Sequence, residues 1–201
     1  HRVRNPDAGR ASVARYSMPF FLHFRSDYPI ETLESCIDEA HPNLYCAVGV
    51  HPDTDDEEAA EPDIATRVRL AEHPKVVAIG ETGLDYYHGA GHAEQQQQSF
   101  VIHLQAASRA ALPVIVHTRD ACDDTLRLLA RHADPVHAGV MHCFTESLEM
   151  ARAAMEMNFL ISFSGIITFR NAAALREVVR AVPLDRMLVE TDSPYLAPVP
   201  H

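Results

Sequence analysis

Val76-Val77-Ala78-Ile79-Gly80-Glu81 is a short apolar run closed by an acidic residue. The stretch 95–112 that follows repeats apolar positions at Phe100, Leu104, Ala107 and Ala111, and Pro113-Val114-Ile115-Val116-His117 then restores a short apolar run. A brief apolar segment, a long one-sided stripe ended by proline and a second brief apolar segment are the pattern of a βαβ unit. The pattern continues in both directions. Toward the amino terminus, Leu44-Tyr45-Cys46-Ala47-Val48-Gly49-Val50 reads as a buried strand. Ile64, Val68 and Ala71 mark a helix that stops before Pro74, and Ile30, Leu33 and Ile37 mark one over 30–40 that stops before Pro42. Toward the carboxyl terminus, helices over 120–131, 146–157 and 171–181 alternate with strands at 139–141, 159–163 and 187–189. Six nearly continuous apolar strands separated by helices predict an α/β fold, a parallel sheet with both faces covered. Residues 1–29 hold five arginines and one aromatic run, Phe20-Phe21-Leu22-His23-Phe24, without a convincing period. The expected organisation is therefore a poorly specified segment 1–29 followed by one domain over 30–201.

The 201 residues, 47% apolar and 22% charged, have the composition of an ordinary globular domain. Seventeen basic against 28 acidic side chains give a formal charge of −11, so the bare chain has no broad positive field for a polyanion, and a nucleic acid would need cations held at the site. No apolar run approaches the ~18–20 residues of a membrane span, and no signal-peptide core is visible, so a cytoplasmic protein without membrane contact is expected. Cys36, Cys46, Cys122 and Cys143 lie far apart with no Cys-x-x-Cys pair and read as reduced core thiols.

Thirteen histidines are many for this length, and their positions matter more than their number. His51, Glu81, His117, His142 and Asp192 each follow an apolar strand core. In a (β/α)₈ barrel the carboxyl ends of the strands converge on one face, so these five residues would meet, whereas a doubly wound sheet would spread them along a line. Imidazoles and carboxylates together form a donor set suited to Zn²⁺, Mn²⁺ or a similar divalent ion. His51, in Gly49-Val50-His51-Pro52, reads equally as a ligand and as a turn residue. His41, His73, His132 and His137 lie at helix ends, where imidazole complements the dipole.

The runs Gly49-Val50-His51-Pro52, Ile79-Gly80-Glu81-Thr82-Gly83-Leu84-Asp85-Tyr86, Pro113-Val114-Ile115-Val116-His117-Thr118-Arg119-Asp120, His142-Cys143-Phe144, Ser162-Phe163-Ser164-Gly165 and Val189-Glu190-Thr191-Asp192-Ser193-Pro194-Tyr195-Leu196-Ala197-Pro198 resemble the TatD family of metal-dependent deoxyribonucleases over about residues 42–201. The resemblance implies a TIM-barrel metallohydrolase that cleaves DNA phosphodiesters, often from 3′ to 5′, with two divalent ions (Zn, Mn or Mg). By that resemblance Glu81 bridges the ions, His117 and His142 hold one and Asp192 the other. Asp192 is then the general base and Glu81 the second catalytic carboxylate; His51 is expected to face the substrate, and Arg119, two residues after His117, reads equally as a phosphate contact and as a solvated charge at a helix start. The family's amino-terminal His-x-His pair has no counterpart, since His1 and His23 are the only early histidines. An incomplete barrel with six recognisable strands is therefore expected, its His117–His142 ion site more complete than the other. Two other readings remain open: a related barrel hydrolase acting on a C–N or lactone bond, and an inactive truncated fragment.

Overall fold

In β4 (Val114–Arg119), Val114 and Val116 turn one way and Ile115 the other, and this alternation divides the molecule into two layers. The computed structural model describes residues 21–23, 45–53, 64–192 and 195–200. Around β4 lie β1 (Phe21–His23), β2 (Cys46–Gly49), β3 (Val76–Asp85), β5 (Gly139–Met141), β6 (Phe159–Phe163) and β7 (Met187–Val189), all parallel and side by side in chain order. A doubly wound sheet reverses its order at a switch point. Here each strand is added beside the one before it, which is the winding of a TIM barrel. Ala47, Ala78, Ile115 and Val140, with Leu160 and Leu188 against them, give one inward side chain from each strand β2 to β7. The opposite faces, including Val48, Ile79, Val116, Met141 and Ile161, pack under the helices.

The helices are α1 (Ile64–Ala71), the single turn α2 (Tyr86–Gly89), α3 (Ala93–Ala110), α4 (Cys122–His132), α5 (Leu148–Glu156) and α6 (Ala173–Ala181). In α3 the buried residues Gln96, Phe100, His103, Leu104 and Ala107 recur at helical spacing, and the left-handed Ala111 ends it two residues before Pro113. The helices α4, α5 and α6 each begin two residues after the expected start. For α5 the reason is local: the Ser147 hydroxyl accepts the Met150 N–H and caps the helix, leaving Glu146 outside it.

Two sequence expectations need correction. The sheet has seven strands among the described residues, because Phe21–His23 pairs with β2 in the register Phe21↔Ala47, Leu22↔Val48, His23↔Gly49. Three residues inside an aromatic run have no period to read, so pattern alone misses such a strand. The expected helix over 30–40 and the rest of 1–29 lie outside the described residues. Second, β3 does not stop at Gly80 but continues to Asp85. A register shift between Ile79 and Thr82 interrupts its pairing with β4. Ala78 points inward before the shift, and strict alternation would then turn Glu81 outward. The bulge changes the phase, so Glu81 joins Gly83 and Asp85 on the inner side, level with His117 and Arg119 of β4.

Gly83 is required by that arrangement. Its φ is +144°, and a Cβ there would lie 1.9 Å from the His117 carbonyl oxygen. Gly83→Ala is expected to destabilise the chain by about 2–4 kcal/mol, combining backbone strain with overpacking. Urea denaturation checks this: an unchanged midpoint contradicts the close-approach argument.

Candidate metal centre

The buried carboxylate of Glu81 stands at the centre of the barrel's carboxyl-terminal end, with each oxygen turned to different imidazoles. Oε1 is 3.3 Å from His117 Nδ1 and 3.8 Å from His51 Nε2, and Oε2 is 3.8 Å from His142 Nε2. His142 Nε2 also lies 3.3 Å from Asp192 Oδ1. The five residues expected to converge therefore do so, and His51, Glu81 and His117 bring three donor atoms within 4.8 Å of one another. Alternation explains the approach. His117 follows inward Ile115 by two residues on β4, and His142 follows inward Val140 just beyond β5.

Two carboxylates that pattern reading passed over orient these imidazoles. Asp85 Oδ2 is 3.1 Å from His117 Nε2, and Glu190 Oε2 is 2.5 Å from His142 Nδ1. Each takes the ring N–H on the far side and leaves the other nitrogen facing Glu81, the arrangement that fixes the tautomer of ligand histidines. Glu190 is fixed in turn by the Cys143 N–H at 2.6 Å, and Asp85 by the His88 N–H at 2.8 Å. Both lie within the runs 79–86 and 189–198 that carry the family resemblance. Asp85 is four residues after Glu81 on the same face of β3, and Glu190, just beyond β7, is two before Asp192.

Electrostatics follow from burial and pairing. Burial alone would raise the Glu81 pKa, but the His117 hydrogen bond and the nearby His142 and His51 outweigh it and hold the carboxyl at about 2. Burial favours neutral His117, yet Asp85 and Glu81 raise it to about 9. His142 is likewise raised against burial to about 10, by Asp192, Glu190 and Glu81. Asp85 stays ionised far below the ordinary carboxyl range, because bonds from His117 and His88 overcome its desolvation. Cys143 goes the other way: burial and the surrounding carboxylates push its thiol up to about 12 despite the Ser164 hydroxyl, so it brings no thiolate to the site near neutrality.

The donor set, imidazole nitrogens and carboxylate oxygens backed by further carboxylates, fits a borderline divalent cation. His51 is the exception in detail. Its Nδ1 accepts the Asp53 N–H at 3.1 Å, so the proton of the neutral ring sits on Nε2 and His51 offers a donor toward Glu81 Oε1 rather than a lone pair. Arg119, two residues beyond His117, is exposed at the rim.

A parallel barrel with imidazoles and carboxylates gathered at the carboxyl ends of its strands defines the class of TIM-barrel metallohydrolases. Within that class, the chain belongs to the TatD related DNase family, which it matches over residues 12–201. The match starts well before residue 42, so it includes the strand at Phe21–His23. The chain is 46% identical over 185 residues to the Escherichia coli uncharacterized metal-dependent hydrolase YcfH, covering 92% of this chain and 65% of that protein. It is 41% identical over 157 residues to the 3′-5′ ssDNA/RNA exonuclease TatD of Erwinia billingiae, covering 77% of this chain and 60% of that protein. The crystal structure of YJJV, a TatD homologue from Escherichia coli, superposes with a TM-score of 0.73 at 30% identity, over 94% of this chain and 71% of that one. The chain thus spans somewhat under two thirds of the length of these two curated relatives. No helix among the described residues is long and apolar enough to cross a membrane.

The loop carrying His51 is tied down from behind. His103 is fully buried on α3; its Nδ1–H donates to the Ser99 carbonyl at 2.8 Å, and its Nε2 accepts the Val50 N–H at 3.0 Å. Burial, with Arg67 nearby, lowers its pKa to about 3 against the Ser99 bond. Because the folded value is depressed, the unfolded chain takes up this proton first as pH falls, so stability is complete above about 6.5 and is lost toward pH 3. Between pH 6.5 and 4 this one group is expected to remove on the order of 3 kcal/mol. His103→Gln keeps an acceptor without the titration, and its stability should fall less steeply over that range. Parallel slopes in denaturation series at stepped pH contradict the assignment.

Proposed function

We propose that this chain is the catalytic part of a divalent-metal-dependent phosphodiesterase that hydrolyses single-stranded DNA, trimming from the 3′ end. The observation that carries the reading is the buried Glu81 carboxylate set between the imidazoles of His117 and His142, with Asp192 beside His142, a donor set that would hold divalent cations where a phosphate can reach them. Family membership and the exonuclease name of the Erwinia billingiae relative support the substrate class.

In this reading Glu81, His117, His142 and Asp192 would hold the ions, and Asp85 and Glu190 keep the two imidazoles in the tautomers that would leave Nδ1 of His117 and Nε2 of His142 for coordination. Bound divalent ions supply charge neutralisation at the phosphate and lower the pKa of water at the site. Asp192, with 30% of its side chain exposed, is within reach of solvent and accepts the proton of the attacking water. His51 Nε2–H and the Arg119 guanidinium donate to nonbridging phosphate oxygens. The water oxygen bonds to phosphorus, the P–O3′ bond to the remaining strand breaks so that the phosphate departs on the released nucleotide, and bulk water protonates the 3′ oxygen left on the strand.

The test is nucleotide release from a labelled single strand with added Mn²⁺ or Zn²⁺, with and without EDTA. EDTA is expected to abolish release. Glu81→Gln and Asp192→Asn, which keep shape and remove charge, should each lose at least ~10²–10³ in rate. Chelator-insensitive cleavage, or full activity of Asp192→Asn, defeats the proposal.

The two histidines beside Glu81 should separate in their roles. His117→Ala is expected to weaken metal uptake more than tenfold. His51→Ala should lower kcat/KM with metal content nearly unchanged, because its ring offers a proton rather than a lone pair. Metal analysis after dialysis, paired with kinetics, reads this difference, and equal metal loss in both variants makes His51 a ligand.

A further inference from the structure

We propose that Tyr87 and Arg119 form a subsite on the rim of the metal centre that stacks one nucleobase and holds its adjoining phosphate. This rests on the nucleic-acid reading above and specifies how the substrate is gripped next to the bond that is cut.

Position comes first. Arg119 lies two residues beyond His117 at the end of β4, Tyr87 lies in the turn α2 two residues after Asp85, the last residue of β3, and Asp85 and Arg119 are register partners. Two residues along a strand rise about 6–7 Å, so Arg119 stands one step outward from His117, and the turn after β3 sets Tyr87 against it. The Arg119 guanidinium carbon lies 4.0 Å from the centroid of the Tyr87 ring, and the ring meets the His88 imidazole edge-on at 4.8 Å and 83°. His88 in turn donates from Nδ1 to Asp85 Oδ2 at 2.9 Å. A continuous series of contacts therefore joins the rim to the metal centre.

The turn that presents Tyr87 is held firmly. Gln96, buried on α3, accepts the Asp85 N–H at 2.8 Å and donates to the carbonyls of Asp85 and Gly89 at 3.0 and 3.2 Å. The Tyr86 hydroxyl donates to Asp124 at 2.9 Å and accepts from Gln97 at 2.7 Å. Tyr86 is thus bound into the joint between α3 and α4. Its neighbour Tyr87 is 61% exposed, and among the described residues neither its hydroxyl nor the Arg119 guanidinium has a hydrogen bond. An exposed cation–π pair contributes only about 0.5–1 kcal/mol, a weak structural reason for displaying a large aromatic at this point. A planar guanidinium lying on an aromatic ring leaves its edge donors for phosphate and the outer face of the stack for a base. Stacking of a base on such a side chain is worth ~1–3 kcal/mol and tolerates any base.

Binding is the direct test, because it is independent of turnover. The Mn²⁺-loaded chain is titrated, by anisotropy, into a labelled phosphorothioate pentanucleotide and into its abasic counterpart with the same charges. Electrophoresis confirms that the strands stay intact. The wild type should prefer the base-bearing strand about tenfold. Tyr87→Ala should bring that ratio to about one, and Tyr87→Phe, which keeps the ring, should retain it. Arg119→Ala should weaken both strands and reduce the salt slope by about one charge. A ratio unchanged in Tyr87→Ala overturns the subsite, as does an equal loss for both strands, which marks a structural role. Wild type that binds both strands equally overturns the subsite and leaves the nucleic-acid reading standing. Wild type that binds neither overturns both.

Discussion

A carboxylate that is 8% exposed is costly to bury unless opposite charge or hydrogen-bond donors surround it, and the arrangement around Glu81 answers that constraint. His117, His142 and His51 approach its two oxygens, and Asp85, Glu190 and Asp192 balance the imidazoles from outside. Both His117, raised to about 9, and His142, raised to about 10, carry protons near neutrality in the absence of any other cation. Protons and divalent ions compete for the same nitrogens. In the reading proposed above, protons neutralise the charge that a bound cation would neutralise, and cation uptake would release them.

The backbone around this cluster serves the same end. Glu81 reaches the barrel interior only because β3 changes phase at the bulge after Ile79, and β3 lies close enough to β4 beside His117 only because residue 83 has no Cβ. Behind the sheet, α3 contributes polar residues from its buried face. Gln96 holds the end of β3, and His103 holds the Val50 peptide that precedes His51. A helix whose inner face fastens two strand ends is doing more than covering apolar surface, and it explains buried polar groups on a stripe that otherwise reads as core.

Much of this was legible in the sequence, for identifiable reasons. Strands β2 to β7 are apolar enough on both faces to be read directly, and His117 and His142 keep simple alternation with Ile115 and Val140, so their convergence follows from barrel geometry. Glu81 was expected among the converging residues from its place after the apolar run Val76–Gly80 and from its motif, although strict alternation through β3 would have turned it outward; the bulge is what brings it beside His117 and His142. Asp85 and Glu190 were missed because a carboxylate that orients a histidine has no spacing signature of its own. The strand at Phe21–His23 was missed because three residues carry no period. Gln95-Gln96-Gln97-Gln98 has the look of a solvated polar run, yet Gln96 is buried and Gln97 bonds Tyr86 and Asp124. Composition cannot distinguish an amide that fastens a turn from one in water.

The charge of −11 bears on what kind of recognition this surface supports. Long-range attraction of a polyanion is weak for such a chain, and at physiological salt the field of exposed carboxylates is screened within about 8 Å. In the reading proposed above, affinity for a nucleic acid would come from contacts made at short range, through cations held at the site, a donor such as His51 Nε2–H, and a guanidinium lying on an aromatic ring. Contacts of this kind grip a few nucleotides rather than a long duplex. On the proposed reading, a locally charged site at one end of a barrel would suit a strand end, whose bases are unstacked and can be laid against a rim, better than the interior of a double helix, whose base faces are already occupied.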